Sequence, residues 1–377
     1  MAVKIFKNLF GEEKKPKKGL MAMEWVMMAY TLFTTIFILV TYVRLTHPTE
    51  MLWFRAQAVV LTLALWGVYR LYPCRLTILF RVTGQMLLLS WWYSDTYEMN
   101  RIFSNLDHVF AAWEQSIFGF QPALTFCESW SHPIISELVT MGYVSYFPLF
   151  VGITVFYFFC RYESFERAVF IIMASFFLFY LIFIFLPVAG PQFYFKAVGV
   201  DQIAQGVFPD IGYYFDQIEF DVHNRDFVLP IPGWEDGLMY KSLIFTHDAG
   251  ERPTAAFPSS HVGVATVVMW LAWETKNRKI FFIFLPFAVL LFFGTFYVQA
   301  HYVIDAIAGL IIGTLFYFIL SFISRILRSP SASCHPCEPA CHAWRRQRAD
   351  CDGSVPSWRS SGSPTATACN RDVHSSQ

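Results

Sequence analysis

The sequence predicts an all-α integral membrane protein, a polytopic bundle of about eight transmembrane helices with an external loop and an interfacial cap. Two observations support this prediction. Of the 377 residues, 55% are hydrophobic and only 15% are charged, which is too apolar for a soluble protein of this length. The hydrophobic residues also fall into separate runs of about 20 residues, the length that a helix needs to cross a hydrocarbon core.

The runs cover residues 22–44, 53–70, 75–93, 136–160, 167–187, 259–275, 280–299 and 302–323. Arg81 and Gln85 interrupt the third run, so an alternative is that this segment lies partly at the membrane interface. The first run is too long for a cleavable signal and no small-residue cleavage site follows it. We therefore expect it to remain as a membrane helix.

Basic clusters in the short loops predict the orientation of the bundle. If the eight runs alternate, "EEKKPKKG", "RYESFER", "KNRK" and "SRILR" all fall on one side, which is then cytoplasmic. The loop 188–258 falls on the opposite side and carries four Lys or Arg against ten Asp or Glu. We therefore expect this loop to be external, either periplasmic or lumenal.

The runs divide the chain into a basic cytoplasmic N-terminus (1–21), N-terminal transmembrane helices (22–93), an external interfacial cap (94–135), a membrane core (136–328, including the loop 188–258) and a disordered cytoplasmic tail (329–377). The tail contains Cys334, Cys337, Cys341 and His342, which are zinc-ligand types, but their spacing matches no standard zinc finger and we predict no metal site. The 28 basic and 28 acidic residues balance, so no nucleic-acid partner is expected.

A polar cluster, "PSSH", opens the sixth run with Ser259, Ser260 and His261. Serine is a preferred N-cap and proline favours a first helical turn, so the cluster predicts a helix start with outward-facing backbone N–H groups. Such an end attracts phosphate. We expect both serines to bind a phosphate group. Arg252, the nearer in sequence to the helix start, and Lys196 are candidate phosphate-binding cations, although snorkelling at the interface explains both nearly as well.

His301 and Asp305 form a second polar pair at the start of the eighth run. A spacing of four places them on one helix face, where the carboxylate can accept a hydrogen bond from the imidazole and hold its tautomer. His261 lies forty residues earlier, and the intervening helical hairpin returns it to the same membrane face. The alternatives are a capping histidine at 261 and a structural ion pair at 301 and 305.

Two histidines and a carboxylate are sufficient for phosphoryl transfer through a covalent phosphohistidine. One imidazole attacks phosphorus, an aspartate orients and activates it, and the second imidazole protonates the departing alkoxide. The serine hydroxyls and the amides at the helix start would hold the non-bridging oxygens. This chemistry requires no metal and no cofactor.

The motifs "PSSH" (258–261) and "HYVID" (301–305) resemble the second and third signature motifs of the type 2 phosphatidic acid phosphatase superfamily. The resemblance implies that His301 is the nucleophile, Asp305 its partner and His261 the general acid. The superfamily usually has Ser-Arg where Gly294 and Thr295 stand here, and its first motif, a lysine followed by Arg-Pro, has no match at the usual distance.

The missing cations suit a phosphodiester, which carries one negative charge, better than a phosphomonoester with nearly two. The pattern is similar to the branch that contains inositol phosphorylceramide synthase. It implies a lipid phosphotransferase acting at the external face, with phosphatidylinositol as donor, a ceramide-like acceptor and diacylglycerol as product.

Two other functions remain open. A lipid phosphate phosphatase would hydrolyse phosphatidate-like monoesters with the same residues. A transporter would use the histidines and Asp305 as a proton relay, although their position near one face and the lack of an inverted repeat argue against it.

Two smaller features complete the sequence predictions. Asp107 and His108 of the cap are expected on a solvated face. Gly309 and Gly313 form a small-xxx-small pair, which predicts close helix packing.

Overall fold

The computed structural model describes residues 9–13, 16–130, 132–218, 226–248 and 251–328. The predicted tail, with its four candidate zinc ligands, lies outside these residues. The described chain is helical, and its only β-type pairing is an isolated bridge between Glu12 and Cys74. The all-α prediction is therefore confirmed for the described part of the chain.

Three long helices form the N-terminal part of the bundle. They are α1 (Ala22–Thr41, followed by a 3₁₀ turn at Tyr42–Arg44), α2 (Pro48–Leu71) and α3 (Arg75–Asn100). Their ends follow ordinary helix chemistry: Pro48 occupies the first turn of α2, and Glu24 accepts a hydrogen bond from Met21 N at 2.7 Å to cap α1. Residues 94–100, expected in the cap, instead continue α3.

The charged residues inside these helices are paired with one another. Arg81 of α3 contacts Glu24 of α1 through Nε at 2.8 Å and Nη2 at 2.5 Å. Arg55 of α2 contacts Asp95 of α3 through Nη1 at 3.1 Å and Nη2 at 2.6 Å. All four side chains are buried, so the charges that interrupt the hydrophobic runs form contacts between helices.

The segment predicted as a cap contains two short helices, α4 (Asp107–Phe118) and α5 (Pro122–Ser129). Gly119 ends α4 with a φ of 78°, a left-handed conformation that glycine adopts without a steric penalty. The run expected as one helix over 136–160 is bent by 48° between α6 (Pro133–Val144) and α7 (Tyr146–Cys160).

The membrane core is built around α8 (Tyr162–Phe185), which packs against α1, α3, α7 and the later helices α12 (Ser260–Glu274) and α14 (Val303–Arg328). The loop between α8 and α12 contains α9 (Pro191–Val198), α10 (Val200–Ala204), a 3₁₀ turn (Tyr214–Asp216) and α11 (Leu238–Asp248). Helix α13 (Arg278–Tyr297) connects α12 to α14 and packs closely on α6. This hairpin returns the chain to the end of the bundle where α12 begins.

Helices α12 and α14 meet backbone to backbone. A Cβ atom on Gly309 would collide with the carbonyl oxygen of Ser259, and one on Gly313 would collide with that of Gly263. Only glycine permits this approach. The predicted packing role of Gly309 and Gly313 is confirmed, and the crossing fixes the two predicted motifs side by side.

Within the described residues, five helices are long and apolar enough to span a membrane: Ala22–Arg44, Pro48–Leu71, Tyr162–Phe185, Arg278–Tyr297 and Val303–Leu327. The bent pair α6–α7 would make a sixth. Two of the eight predicted spans do not reach this standard: α12 has only 15 residues, and α3 carries charged and polar residues along its length. The helices describe a multi-pass membrane protein, and the count of eight stays a prediction.

Candidate active site

Helix α12 begins where the sequence predicts, with Ser259 as its N-cap. Ser259 Oγ accepts a hydrogen bond from Val262 N at 3.4 Å, and Ser259 N donates to the carbonyl oxygen of Asp305 at 3.0 Å. Ser260 is buried and hydrogen-bonds with the Tyr146 side chain. Both serines predicted to bind phosphate therefore have protein partners at this helix start.

The two predicted histidines are in contact. His301 Nε2 lies 3.3 Å from His261 Nδ1, and the ring centroids are 5.4 Å apart at an interplanar angle of 68°. His301 is buried, whereas His261 is partly exposed. The structure thus brings together the two imidazoles that the forty-residue spacing predicts at one end of the bundle.

The tautomer of His301 is set by a main-chain carbonyl. His301 Nδ1 lies 2.7 Å from the carbonyl oxygen of Ala256, which can only accept, so Nδ1 carries the proton. Asp305 Oδ2 lies 3.8 Å from Nδ1, beyond hydrogen-bonding distance. The hydrogen bond expected between Asp305 and His301 is therefore replaced by one to Ala256.

This tautomer leaves a lone pair on His301 Nε2 and makes His261 Nδ1 the donor in the contact between the rings. Burial lowers the pKa of His301 to about 4, against smaller opposing effects of the Ala256 hydrogen bond and the charge of Glu251. His301 is consequently neutral at pH 7, the state in which an imidazole nitrogen can act as a nucleophile.

Asp305 is buried at the first turn of α14. Its Oδ2 accepts a hydrogen bond from Tyr302 N at 2.8 Å, and its Oδ1 has no hydrogen-bond partner among the described residues. The carboxyl thus stabilises the helix start while lying close enough to His301 to act on it electrostatically.

Two tyrosines hold the His261 ring. Tyr143 stacks on it with centroids 4.8 Å apart and an interplanar angle of 23°, and the centroid of Tyr146 lies 4.4 Å away. Tyr146 and Tyr143 flank the bend between α6 and α7. The break in the predicted helix over 136–160 therefore places both rings against the histidine, a function that periodicity alone does not reveal.

Glu251 is an acidic group of the site that the sequence interpretation did not identify. It accepts a hydrogen bond from Gln192 Nε2, and its charge acts on His301. Its position immediately before Arg252 is a sequence signal, but that stretch is predicted to supply a phosphate-binding cation.

The two predicted phosphate-binding cations occupy different environments. Arg252 is partly buried and its backbone hydrogen-bonds with the Tyr93 side chain. Lys196 is exposed in the last turn of α9 and forms no ion pair with a described residue. Gly294 and Thr295, at the positions of the superfamily's Ser-Arg pair, are both tightly packed. Thr295 is fully buried, and a Cβ on Gly294 would press against Val139 and Tyr143.

Asp107 is buried, contrary to the solvated face expected for it. Its carboxylate accepts hydrogen bonds from Ala189 N at 2.6 Å, Gly190 N at 2.8 Å, Asn105 Nδ2 at 2.6 Å and Tyr302 Oη at 3.1 Å. It thereby connects α4 to the segment between α8 and α9 and to the residue after His301. His108 is partly exposed, with Nδ1 3.7 Å from Asp210.

The membrane helices, the crossing of α12 and α14 and the contact between His261 and His301 describe a membrane protein with a candidate site for phosphoryl transfer. The sequence profile of the PAP2 superfamily matches residues 108–319, which is more than half of the chain. The chain belongs to this superfamily. Comparison with curated proteins and with solved structures gives no match.

Membership of the superfamily supports the coarser expectations made from the motifs. PAP2 proteins are phosphoryl-transfer enzymes, phosphatases or transferases, so the chain is an enzyme of this kind. Together with the apolar helices, membership implies lipid substrates and a location in the bilayer.

Proposed function

We propose that this protein is a lipid phosphotransferase that moves an inositol-phosphate type head-group from phosphatidylinositol to a ceramide-like lipid. The observation that carries the proposal is the contact of His301 Nε2 with His261 Nδ1 at 3.3 Å, with the opposite nitrogen of His301 bound to Ala256. It gives the site one nucleophilic nitrogen and one proton donor that face each other.

In the first step, His301 Nε2 attacks the phosphorus of the donor and a P–N bond forms. The bond from phosphorus to the diacylglycerol oxygen breaks, its electron pair goes to that oxygen, and His261 supplies the proton. Diacylglycerol leaves. An in-line displacement places phosphorus and the leaving oxygen between the two nitrogens, so the rings must separate from their 3.3 Å contact when substrate binds.

In the second step, the hydroxyl of the ceramide-like acceptor loses its proton to His261 and attacks phosphorus. The P–N bond breaks and its electron pair returns to His301 Nε2. Asp305, 3.8 Å from Nδ1, stabilises the positive charge that the His301 ring carries while the P–N bond exists. The amides at the start of α12, with Ser259, Ser260 and Arg252, hold the non-bridging oxygens, and Lys196 contributes least because it is exposed.

A phosphodiester donor is supported by the charges around the histidines. Gly294 and Thr295 occupy the place of the superfamily's cation, and both pack tightly. Glu251 adds negative charge near His301. A dianionic monoester would be repelled more strongly there than a monoanionic diester.

We place the histidine end of the bundle at the external face of the membrane, periplasmic or lumenal. The proposal follows from the basic loops, which would lie at the other end if α3 and α12 are counted with the six candidate spans to give eight. At the external face the head-groups of lipids in that leaflet reach the site directly.

Membership of the PAP2 superfamily equally suits a second function, a lipid phosphate phosphatase. In that reaction water replaces the lipid hydroxyl in the second step. Phosphatidate-like monoesters would be the substrates, and inorganic phosphate the product.

The decisive experiment measures the products of the purified protein with labelled phosphatidylinositol, with and without ceramide, and separately with labelled phosphatidate. A labelled inositol phosphorylceramide that requires ceramide is the expected result. Inorganic phosphate and diacylglycerol from phosphatidate, without any inositol phosphorylceramide from phosphatidylinositol and ceramide, would replace the transferase by the phosphatase.

Two variants show whether the products come from this site. His301→Ala should abolish both reactions, because it removes the nucleophile. His132→Ala is the matched control, since His132 is an exposed histidine that caps α6. Full turnover by His301→Ala would contradict both functions.

A further inference from the structure

Helix α4 has a buried face whose second carboxyl has no role in the chemistry described above. Its buried residues are Asp107, Phe110, Ala111 and Glu114. The helix packs against α9 and α14. Asp107 and Glu114 are seven residues apart, two helical turns, so both carboxyls point from the same face. Asp107 contacts Tyr302, and Glu114 reaches the next residues of the same turn.

Glu114 caps α14 from outside the helix. Its Oε2 accepts a hydrogen bond from Ile304 N at 3.2 Å, and Val303 N also donates to its carboxyl. The first amides of a helix need acceptors, which a short side chain at the preceding position normally supplies. Tyr302 precedes α14 and has no such oxygen, so Glu114 takes its place.

Asp305 lies in this same turn, one residue after Ile304. Glu114 Oε1 and Asp305 Oδ1 are both buried, and neither has a hydrogen-bond partner among the described residues. A buried carboxyl oxygen without a partner is costly. Asp305, on this turn, and Glu114, which reaches the turn from α4, each have one such oxygen. A proton held between the two acids would remove this cost.

The surrounding charges favour a protonated Glu114. Burial and, to a smaller extent, the charge of Asp305 raise the pKa of Glu114 to about 8, against the lowering effect of the Ile304 and Val303 amides. Asp107 adds a further negative charge near Asp305. In the described part of the chain, no Lys or Arg forms an ion pair with any of these three acids.

We propose that Glu114 is a positioning residue for the reaction: its protonated carboxyl caps α14 and donates its proton to Asp305, so that the two acids carry one negative charge behind His301. The inference rests on the proposed function, in which His301 is the nucleophile. The shared proton holds the Asp305 carboxyl in place near His301 Nδ1. It also prevents two adjacent buried charges from forcing the turn apart.

Glutamine reproduces the proposed state of Glu114, because its oxygen can accept from Ile304 N and its amide can donate to Asp305. We expect Glu114→Gln to retain turnover at pH 7 within about threefold, and Glu114→Ala to lose at least about tenfold. The assay is turnover of labelled phosphatidylinositol with ceramide, or of phosphatidate if that proves to be the substrate.

The pH profile separates a shared proton from a simple helix cap. Wild-type turnover should fall above about pH 8 as Glu114 ionises, and Glu114→Gln should retain its turnover at least about one pH unit higher. Glu137→Gln is the matched control, because Glu137 caps α11 in the same way, accepting from Met239 N and Tyr240 N at 3.0 Å. The alkaline limb of the Glu137→Gln turnover profile should match that of the wild type.

Infrared spectroscopy tests the same proton without a substrate. At pH 7 the wild type should show the carbonyl stretch of a protonated buried carboxylic acid, and Glu114→Gln should lose this band while Glu137→Gln keeps it. Equal alkaline limbs in wild type and Glu114→Gln, or a band unchanged by the substitution, would overturn the shared proton. Neither result would affect the proposed function, which is tested separately by the lipid product and by the activity of His301→Ala.

Discussion

The N-terminal helices and the histidine site both bury charged side chains, but they compensate the charge in different ways. In the N-terminal helices each buried acid faces an arginine: Glu24 faces Arg81, and Asp95 faces Arg55, each through two hydrogen bonds. Such pairs fix one helix against another. Their removal should therefore affect folding before it affects chemistry.

At the histidine site, Asp107, Glu114 and Asp305 are fully buried and depend on amides, hydroxyls and a proposed shared proton instead of cations. A positive side chain there would neutralise the acid that acts on His301. Buried acids without a cation mark positions where the charge is available for a reaction. The predictions below test this difference, from the largest expected effect to the smallest.

His261→Ala should cause the largest loss, about 10²- to 10⁴-fold in kcat, because it removes the proton donor for a poor alkoxide leaving group. A nitrophenyl phosphodiester needs no such proton, so the variant should act on it with a much smaller loss. Equal losses on both substrates would assign His261 to structure and weaken the contrast between the two regions.

Arg55→Ala should destabilise the protein by about 3–5 kcal/mol, because it leaves Asp95 buried without its partner. Thermal unfolding in detergent measures the loss. The double variant Arg55→Met, Asp95→Leu should recover most of it, since an apolar pair needs no desolvation. A stable Arg55→Ala with reduced kcat would contradict a purely structural role for this pair.

Asp305→Asn should lower kcat by about 10- to 100-fold, less than the roughly 10⁴-fold loss seen where a carboxylate alone fixes a histidine tautomer. The Ala256 carbonyl keeps the tautomer in the variant, which loses only the charge near Nδ1. Steady-state kinetics of purified Asp305→Asn provides the measurement. A loss as large as that of His301→Ala would show that the carboxylate, and not the carbonyl, controls the ring.

The acid side of the pH profile should reflect the buried His301. A histidine with its ordinary pKa of about 6.5 would lose about tenfold in its neutral form at pH 5.5, whereas a pKa of about 4 leaves it almost entirely neutral. We expect kcat/KM at pH 5.5 to remain at least about half of that at pH 7.

The same shift has a consequence for stability. Because folding lowers this pKa, the stability that neutral His301 contributes is present above about pH 6.5 and is lost as the pH falls through about 4. As the pH is lowered from about 6.5 to about 4, the free energy of unfolding should therefore fall less for His301→Gln than for the wild type. A fall of kcat/KM with an apparent pKa near 6.5 would contradict the lowered pKa and show that water reaches the His301 ring.

Lys196→Ala should have the smallest effect, a change of less than about twofold in KM. Lys196 is exposed and forms no ion pair with a described residue. The measurement is the KM for the phospholipid donor, with Lys241→Ala as an exposed control. A tenfold rise in KM for Lys196→Ala alone would restore it to the phosphate site.

The parts of the fold that the sequence predicts well are those set by the bilayer. Helices α1, α8, α13 and α14 lie within a few residues of their predicted runs, because an apolar segment of about 20 residues has few alternatives. The extension of α3 beyond residue 93 was missed, since Asp95 is compatible with a buried helix only through Arg55, forty residues earlier. The bend before Tyr146 was also missed, although Pro148 gives a local signal, because a proline cannot donate to the carbonyl of Val144 and its ring clashes with it.

The part of the candidate site that depends on residue spacing was predictable. A helical hairpin of forty residues must return to its starting face, and this places His301 beside His261. The group that orients His301 was not predictable, because it is the main-chain carbonyl oxygen of Ala256, and every residue type carries such an oxygen. Glu114 offered a signal in its seven-residue spacing from Asp107, but its burial depends on amides of α14, far along the chain.

The role of the Ala256 carbonyl limits what side-chain mutagenesis can detect in this enzyme. Substitution libraries exchange side chains, and at position 256 they would report only on the space around a methyl group. The oxygen that orients the nucleophile would survive every exchange that preserves the loop. Such a library would therefore identify only His261, His301 and Asp305 as functional residues. It would attribute the orientation of the His301 ring to Asp305, although the main-chain carbonyl of Ala256 provides it.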